Sequence, residues 1–316
     1  MVEARCLHRF TVESERDRFK MVVMMTLSRI VVGTDFSEHA RRAIERSALL
    51  ASVAEAELTV VHMYETAAPT TATILTGAEL DERLQSSAEQ ELAQLTSSMG
   101  GARGLVVAGR DAANALCDAA RELEADLVVV GTMGRTGVAR FFVGSVAERV
   151  ARSADRPVWV ERPMTSSMRA VERVTVCTDL SDNSESALEL AAGFARTHGA
   201  VVEVVYALDR RELELEEVNR RRTVMRIEEE LAQRAAEHFE GIAPRLSVLQ
   251  GANVVDAITA HAARTSSDVL VLATRGRAGA SRLLMGSVAE RVTRFAPCSV
   301  LITRRTDKVP GRTADE

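Results

Sequence analysis

The residues of this chain that could do chemistry are glycines at fixed spacing. Gly131 and Gly134 stand three apart, nine residues follow, and then comes the pair Gly144-Ser145. Glycine carries no Cβ, so Gly131 and Gly134 permit a tight turn and a close approach of backbone to a ligand. A helix opening at Gly144-Ser145 turns unpaired N–H groups and a positive dipole end toward that turn. With the Ser145 hydroxyl and the Arg135 guanidinium, those groups form a phosphate-binding set. Taken alone, two glycines need mean no more than a turn, and Gly144-Ser145 no more than a helix cap. The context favours a ligand: the loop leaves an apolar strand and enters a helix, and Thr34-Asp35 ends another strand at the same sheet edge. Ligands of open α/β sheets sit at the carboxyl ends of strands, where the strand order reverses. Asp35 could hydrogen-bond an adenine edge or a ribose, or could cap a helix beside Ser37.

The elements that must position these residues follow from the apolar pattern. Ile30–Gly33 is a short apolar run, read as a buried strand, and Ser37 opens an amphipathic helix running to Val53. A second strand spans Leu58–Met63, a longer helix Ala78–Ser98, a third strand Leu105–Ala108 and a third helix Ala112–Leu123. The fourth strand is Leu127–Gly131, followed by a loop, a helix Val146–Ser153 and a last strand Val158–Glu161. Strands that are apolar throughout, separated by helices, predict a parallel sheet covered on both faces, an α/β fold of doubly wound type.

The whole pattern occurs twice. GSVAERV at 144–150 recurs at 286–292, RIVVGTDFS at 29–37 answers RVTVCTDLS at 173–181, and DLVVV at 126–130 answers DVLVL at 268–272. RPVWV at 156–160 answers PCSVLI at 297–302 in the same order. The chain is a duplicated domain, expected as 27–162 and 172–304. A linker near 162–171 is rich in Ser, Met and Arg. Residues 1–26 are expected to be a flexible extension, with Met21, Met24 and Met25 also compatible with a later start, and 305–316 a mobile tail.

The spacing Gly-x2-Gly-x9-Gly-Ser resembles the ATP-binding signature of the universal stress protein family. VVGTDFS and GSVAERV resemble the same family, and the likeness runs from Ser28 to Thr303 as a tandem form. It implies two tandem open parallel five-stranded sheets, each in strand order 3-2-1-4-5, with helices on both faces. It also implies ATP, or ADP or AMP, with Mg²⁺. By this resemblance Thr34, Asp35 and the Met63 backbone hold adenine and ribose, and Gly131, Gly134, Gly144, Ser145 and Val146 line ribose and phosphates. The second copy departs at one point: Ala273-Thr-Arg-Gly276, nine residues, then Gly286-Ser287. Thr178, Asp179, the Ala207 backbone, Gly276, Gly286, Ser287 and Val288 still match, so weaker nucleotide binding is expected there, the Ala273 methyl either crowding a ribose or harmless if the residue keeps strand geometry. The family also implies that last strands pair. Here Val158–Glu161 and Ser299–Thr303 are expected to pair within the chain as a pseudo-dimer, with a homodimer a further option and the protein partner unknown.

Composition removes other functions. With 40 basic against 45 acidic residues, a net charge of −5 and 3% aromatics, neither a phosphate-backbone footprint nor a base-stacking surface is expected. No apolar run reaches the roughly 20 residues of a membrane helix. Cys6, Cys117, Cys177 and Cys298 are scattered, which fits a reducing cytoplasm. The histidines form no ligand cluster, so no dedicated metal site is expected; His62 reads as a satisfied near-core residue. Phe141 and Phe142 either cover a ligand or pack on the other copy. The charge-dense run Asp209–Arg222 reads as a solvated helix with i,i+4 pairs. Three functions stay open: a nucleotide-dependent stress regulator or sensor, a slow ATPase or nucleotidyl transferase, and a nucleotide-free interaction module. No catalytic residue is assigned, because hydrolysis needs a water-orienting group and metal-holding carboxylates, and no carboxylate lies between Gly131 and Ser145.

Overall fold

A computed structural model describes residues 27–66, 77–132, 143–162, 168–274 and 285–304. In the first copy the elements are β1 (Arg29–Thr34), α1 (Glu38–Ala54), β2 (Glu57–Glu65), α2 (Gly77–Ser97) and β3 (Arg103–Gly109). There follow α3 (Ala112–Glu122), β4 (Leu127–Gly131), α4 (Ser145–Ser153) and β5 (Val158–Glu161). The second copy supplies β6 (Arg173–Cys177), α5 (Glu185–His198), β7 (Val201–Ala207), α6 (Arg210–Leu213) and α7 (Glu217–His238). It closes with β8 (Arg245–Leu249), α8 (Val254–Thr265), β9 (Val269–Ala273), α9 (Ser287–Phe295) and β10 (Ser299–Thr303).

The strands form one sheet of ten, in the order β3-β2-β1-β4-β5-β10-β9-β6-β7-β8. The sequence reading expected two five-stranded sheets whose last strands, Val158–Glu161 and Ser299–Thr303, pair within the chain. The structure joins them because β5 and β10 pair antiparallel, setting Val160 against Val300, Trp159 against Leu301 and Val158 against Ile302. All other pairings are parallel. Joining these two strands leaves β3 and β8 as the edges, so no unpaired ladder is exposed at the centre. β1, β4, β6 and β9 are central and buried on both faces, which explains their mostly apolar composition, with Thr175 the polar residue inside β6.

Each face carries one apolar layer that runs across both copies. One holds Ile44 and Leu50 of α1 with Leu188 and Phe194 of α5; the other holds Leu116 of α3 and Val150 of α4 with Ile258 of α8 and Val292 of α9. A buried polar knot sits at the junction. The Glu161 carboxylate accepts from Trp159 Nε1 (2.7 Å), Ser299 Oγ (2.8 Å) and Arg46 Nε (3.3 Å). Arg46 also donates to the Arg169 carbonyl at 2.7 Å. Beside it Arg162 donates to the carbonyls of Thr293 and Arg294, at the end of α9 where a cation is favoured.

The second copy is not a plain repeat. The charged run after β7 forms α6, with Asp209 and Glu212 closing a capping box, and then α7. The i,i+4 pairs Arg210–Glu214 and Arg221–Glu217 form as the charge pattern requires. The expected extension 1–26, the tail 305–316 and Phe141 and Phe142 lie outside the described residues. Among the described residues no helix is long and apolar enough to cross a membrane.

Candidate functional site

At the carboxyl ends of β1 and β4, where the strand order reverses, lies a cleft of about 190 Å³. Its lining brings together Thr34, Asp35, Met63, Gly131, Gly144, Ser145 and Val146. Gly134 and Arg135 of the first copy, and Gly276 of the second, lie outside the described residues. The floor is apolar, from Val61, Val130 and Leu116. Leu116 and Ala112, at the start of α3, are lining residues that sequence reasoning missed; their helix carries no motif. Gly33 is another, although a glycine inside a strand is itself a sign of close packing. A Cβ on Gly33 would fall 2.8 Å from Leu116 Cδ2.

The turn after β1 is fixed by its own side chains. Thr34 Oγ1 accepts the Phe36 N–H and Asp35 Oδ1 accepts the Ser37 N–H, each at 3.0 Å. Phe36 holds φ 62°, a left-handed conformation that costs a bulky residue energy, and its ring packs on His62 at 4.3 Å. His62 Nδ1 in turn lies 2.9 Å from the Thr34 carbonyl, so this histidine is satisfied within the fold. Ser37, not Asp35, caps α1: its side chain accepts the Ala40 N–H at 3.2 Å. The Asp35 carboxylate shapes the turn and also faces the cleft.

Opposite stands the start of α4. Its N-cap is Gly144, which supplies no side-chain acceptor. The Gly144 N–H donates to the Thr132 carbonyl, closing the loop at its base. The N–H groups of the first turn, from Ser145 onward, have no intrahelical acceptor and open toward the cleft. Thr132 is 2% exposed and its Oγ1 has no hydrogen-bond partner among the described residues. Asp111 caps α3 and binds Arg149 of α4, which ties the two helices flanking the cleft and holds the Asp111 carboxyl below the usual range.

Gly131 lines the cleft, but the room left by its missing side chain is used by the protein itself. A Cβ there would lie 2.7 Å from the His39 carbonyl oxygen and 3.0 Å from its carbon. The glycine therefore lets the first turn of α1 seat against β4. The glycine thus has a packing role within the fold beside its place in the cleft lining. In the second copy Ala273 stands at this position. There α5 starts at Glu185, three residues later than the position matching Glu38, and residues 182–184 form a turn instead.

The other second-copy residues repeat the geometry. Thr178 Oγ1 accepts the Leu180 N–H at 3.0 Å, Asp179 Oδ1 the Ser181 N–H at 3.1 Å, and Leu180 holds φ 61°. Gly286 caps α9 without a side-chain bond, and its N–H donates to the Thr274 carbonyl at 2.7 Å, ahead of Ser287 and Val288. Ala207 ends β7 where Met63 stands in the first copy. Cys177 replaces Gly33 and packs into the layer beneath α8; burial pushes its thiol up to about 12. Among the described residues no group of three or more His, Cys, Asp or Glu could hold a metal ion.

Comparison with known proteins agrees with this architecture. The model of the universal stress protein family matches twice, over residues 26–162 and 170–304. A universal stress protein of Methanocaldococcus jannaschii is 31% identical over 143 residues, covering 43% of this chain and 84% of that protein. One of Thermus aquaticus is 34% identical over 135 residues, covering 42% of this chain and 97% of the relative. The crystal structure of a universal stress protein from Archaeoglobus fulgidus shares the fold at a TM-score of 0.66 and 20% identity, covering 88% of this chain and 98% of that one. The two matches of the family model, each spanning one complete repeat of the sheet, show that the chain belongs to the universal stress protein family, in a tandem form.

Proposed function

We propose that the first-copy cleft binds an adenine nucleotide, ATP with its Mg²⁺ ion, and that the protein is a cytoplasmic nucleotide-dependent regulator or sensor of the stress response. The observation that carries this reading is the α4 start: an uncapped helix N-terminus opening on a cleft with Asp35 on its far wall. The phosphates take the free N–H groups and dipole end, the sugar and base take Asp35 and the Met63 backbone, and Leu116 and Val130 exclude water below. The family membership supplies the adenine and the stress response. Among the described lining residues Asp35 is the single ionisable group. A magnesium ion would therefore enter on the phosphates, and the site offers binding groups rather than a placed base for hydrolysis. A nucleotide spanning Asp35 and Ser145 ties β1 to α4, and that tie is the state a partner reads. The second copy keeps the turn and the helix start, but its raised floor at Cys177 and its withdrawn α5 make it the weaker site.

Calorimetric titration with Mg-ATP tests the reading, together with identification of nucleotide released when the purified protein is denatured. One tighter and one weaker site are expected. Ser145→Pro removes one N–H at a position where proline suits a helix, and should weaken the tighter site about tenfold or more, with Ser145→Ala separating the hydroxyl's share. A folded Ser145→Pro protein with unchanged affinity would remove α4 from the site.

A further inference from the structure

A second concavity, of about 380 Å³, lies between α1 and the C-terminal half of α2 in the first copy, beyond the wall made by Thr34. The second copy shows what such a space is built to hold. There Arg234 of α7 crosses the matching position: its guanidinium donates to the Leu180 carbonyl at 2.9 Å, pairs with Glu230 at 3.3 Å and pairs with Glu185. His238 closes the same cluster against Glu185. In the second copy, then, a guanidinium fills the gap.

The first copy keeps most of the acceptors and lacks the cation. α2 and α7 align through their buried leucines, Leu92 and Leu231. Counting from these, Glu91 matches Glu230, Leu95 matches Arg234 and Met99 matches His238. Phe36 matches Leu180, in the same left-handed conformation. Glu45 adds a second carboxylate to the lining, and Leu95 and Met99 give it an apolar wall. The one reversal is Arg41, which stands where the second copy has Glu185. Among the described residues Arg41 pairs with Glu38, at 3.7 Å, with more than half of its side chain exposed. The concavity thus offers carboxylates for a cation, a guanidinium for an anion, and apolar surface between them.

We propose that this concavity is a binding site for a free basic amino acid, of which arginine is the simplest. Its guanidinium or ammonium lies against Glu91, as Arg234 lies against the matching Glu230, and against Glu45. Its methylene chain lies along Leu95 and Met99, and its α-carboxylate meets Arg41 in the paired geometry that guanidinium and carboxylate favour. The site is separate from the nucleotide cleft and does not depend on it.

Titrating the full chain with L-arginine, agmatine and L-norleucine tests the assignment. Agmatine lacks the carboxylate and norleucine the side-chain cation. Saturable binding of L-arginine is expected, with each analogue weaker by about tenfold or more. Leu95→Arg, which supplies the first copy with the second copy's own guanidinium, should abolish binding. Glu91→Gln, a milder change on an exposed helix position, should weaken it about fivefold or more. No saturation up to about 10 mM arginine would overturn the proposal. So would agmatine or norleucine binding as well as arginine, or folded Leu95→Arg and Glu91→Gln proteins that bind like the parent.

Discussion

Replacing Gly131 by alanine probes the contact that separates the two copies. The new methyl would lie 2.7 Å from the His39 carbonyl oxygen, 3.0 Å from its carbon and 3.3 Å from the Ala40 nitrogen. All three are backbone atoms, so no rotamer change can relieve the contact. α1 must withdraw by roughly 0.5–1 Å, an overpacking that costs about 1–3 kcal/mol. If the first turn unwinds instead, as the start of α5 at Glu185 illustrates, the Ser37 cap on the Ala40 N–H is lost, at about 1 kcal/mol. Either route moves Asp35 and Ala40, both in the cleft lining, so nucleotide affinity should fall by roughly threefold to thirtyfold. Ala273→Gly removes a methyl that the second copy already accommodates, and should change stability by less than about 1 kcal/mol. Amide hydrogen exchange read at Ala40 and Arg41, alongside urea unfolding, is the assay. Gly131→Ala should deprotect those two amides and lower the midpoint, while Ala273→Gly leaves them alone. An alanine variant with parental exchange at both amides and parental stability would refute the argument that Gly131 serves the α1–β4 contact.

Two further outcomes follow from the junction. Arg46→Met leaves the Glu161 carboxylate buried with only Trp159 and Ser299 as donors; a loss of about 3–5 kcal/mol is expected, and a shift below 1 kcal/mol in denaturant unfolding would contradict it. His198, stacked on Phe194 at 4.1 Å, has its pKa lowered to about 4 by burial and then by the Arg46 charge. The unfolded chain therefore binds the proton more readily, so stability should be full above about pH 6.5 and fall as the pH drops toward 4, by at most about 3 kcal/mol; His198→Leu should flatten that slope, and an unchanged slope would show that other groups set it.

The sequence announced most of this structure where burial leaves a strong pattern. Leu127–Gly131 and Val158–Glu161 are strands at the expected residues, since a strand covered on both faces is apolar throughout. β3 extends beyond the expected Leu105–Ala108 to Arg103–Gly109, because an edge strand carries Arg103, Gly104 and Gly109, residues that break the apolar run. α6 was hidden in its charges: Asp209 and Glu212 were legible as a charge cluster, while the cap they form depends on the turn out of β7. The glycines of the loop were legible as glycines, but the neighbour that needs Gly131 lies 92 residues away in sequence at His39 and leaves no local trace. The exchange of Arg234 for Leu95 was equally silent, since each side chain suits the half-buried flank of a helix.

The pairing of β5 with β10 sets Trp159 directly across from Leu301. In a dimer of identical domains joined through that strand, a two-fold axis would pass through the pair, and the residue at 159 would have to face a second copy of itself. An indole would then meet an indole, and only side chains that tolerate their own mirror partner could occupy the centre. Covalent fusion lifts that requirement. A large side chain can be matched to a smaller one, and the acid of one half to a hydroxyl of the other, as Glu161 is to Ser299. The two halves are then free to diverge across the seam while remaining one continuous sheet, and divergence at the seam is what allows their ligand-facing ends to differ without exchanging partners.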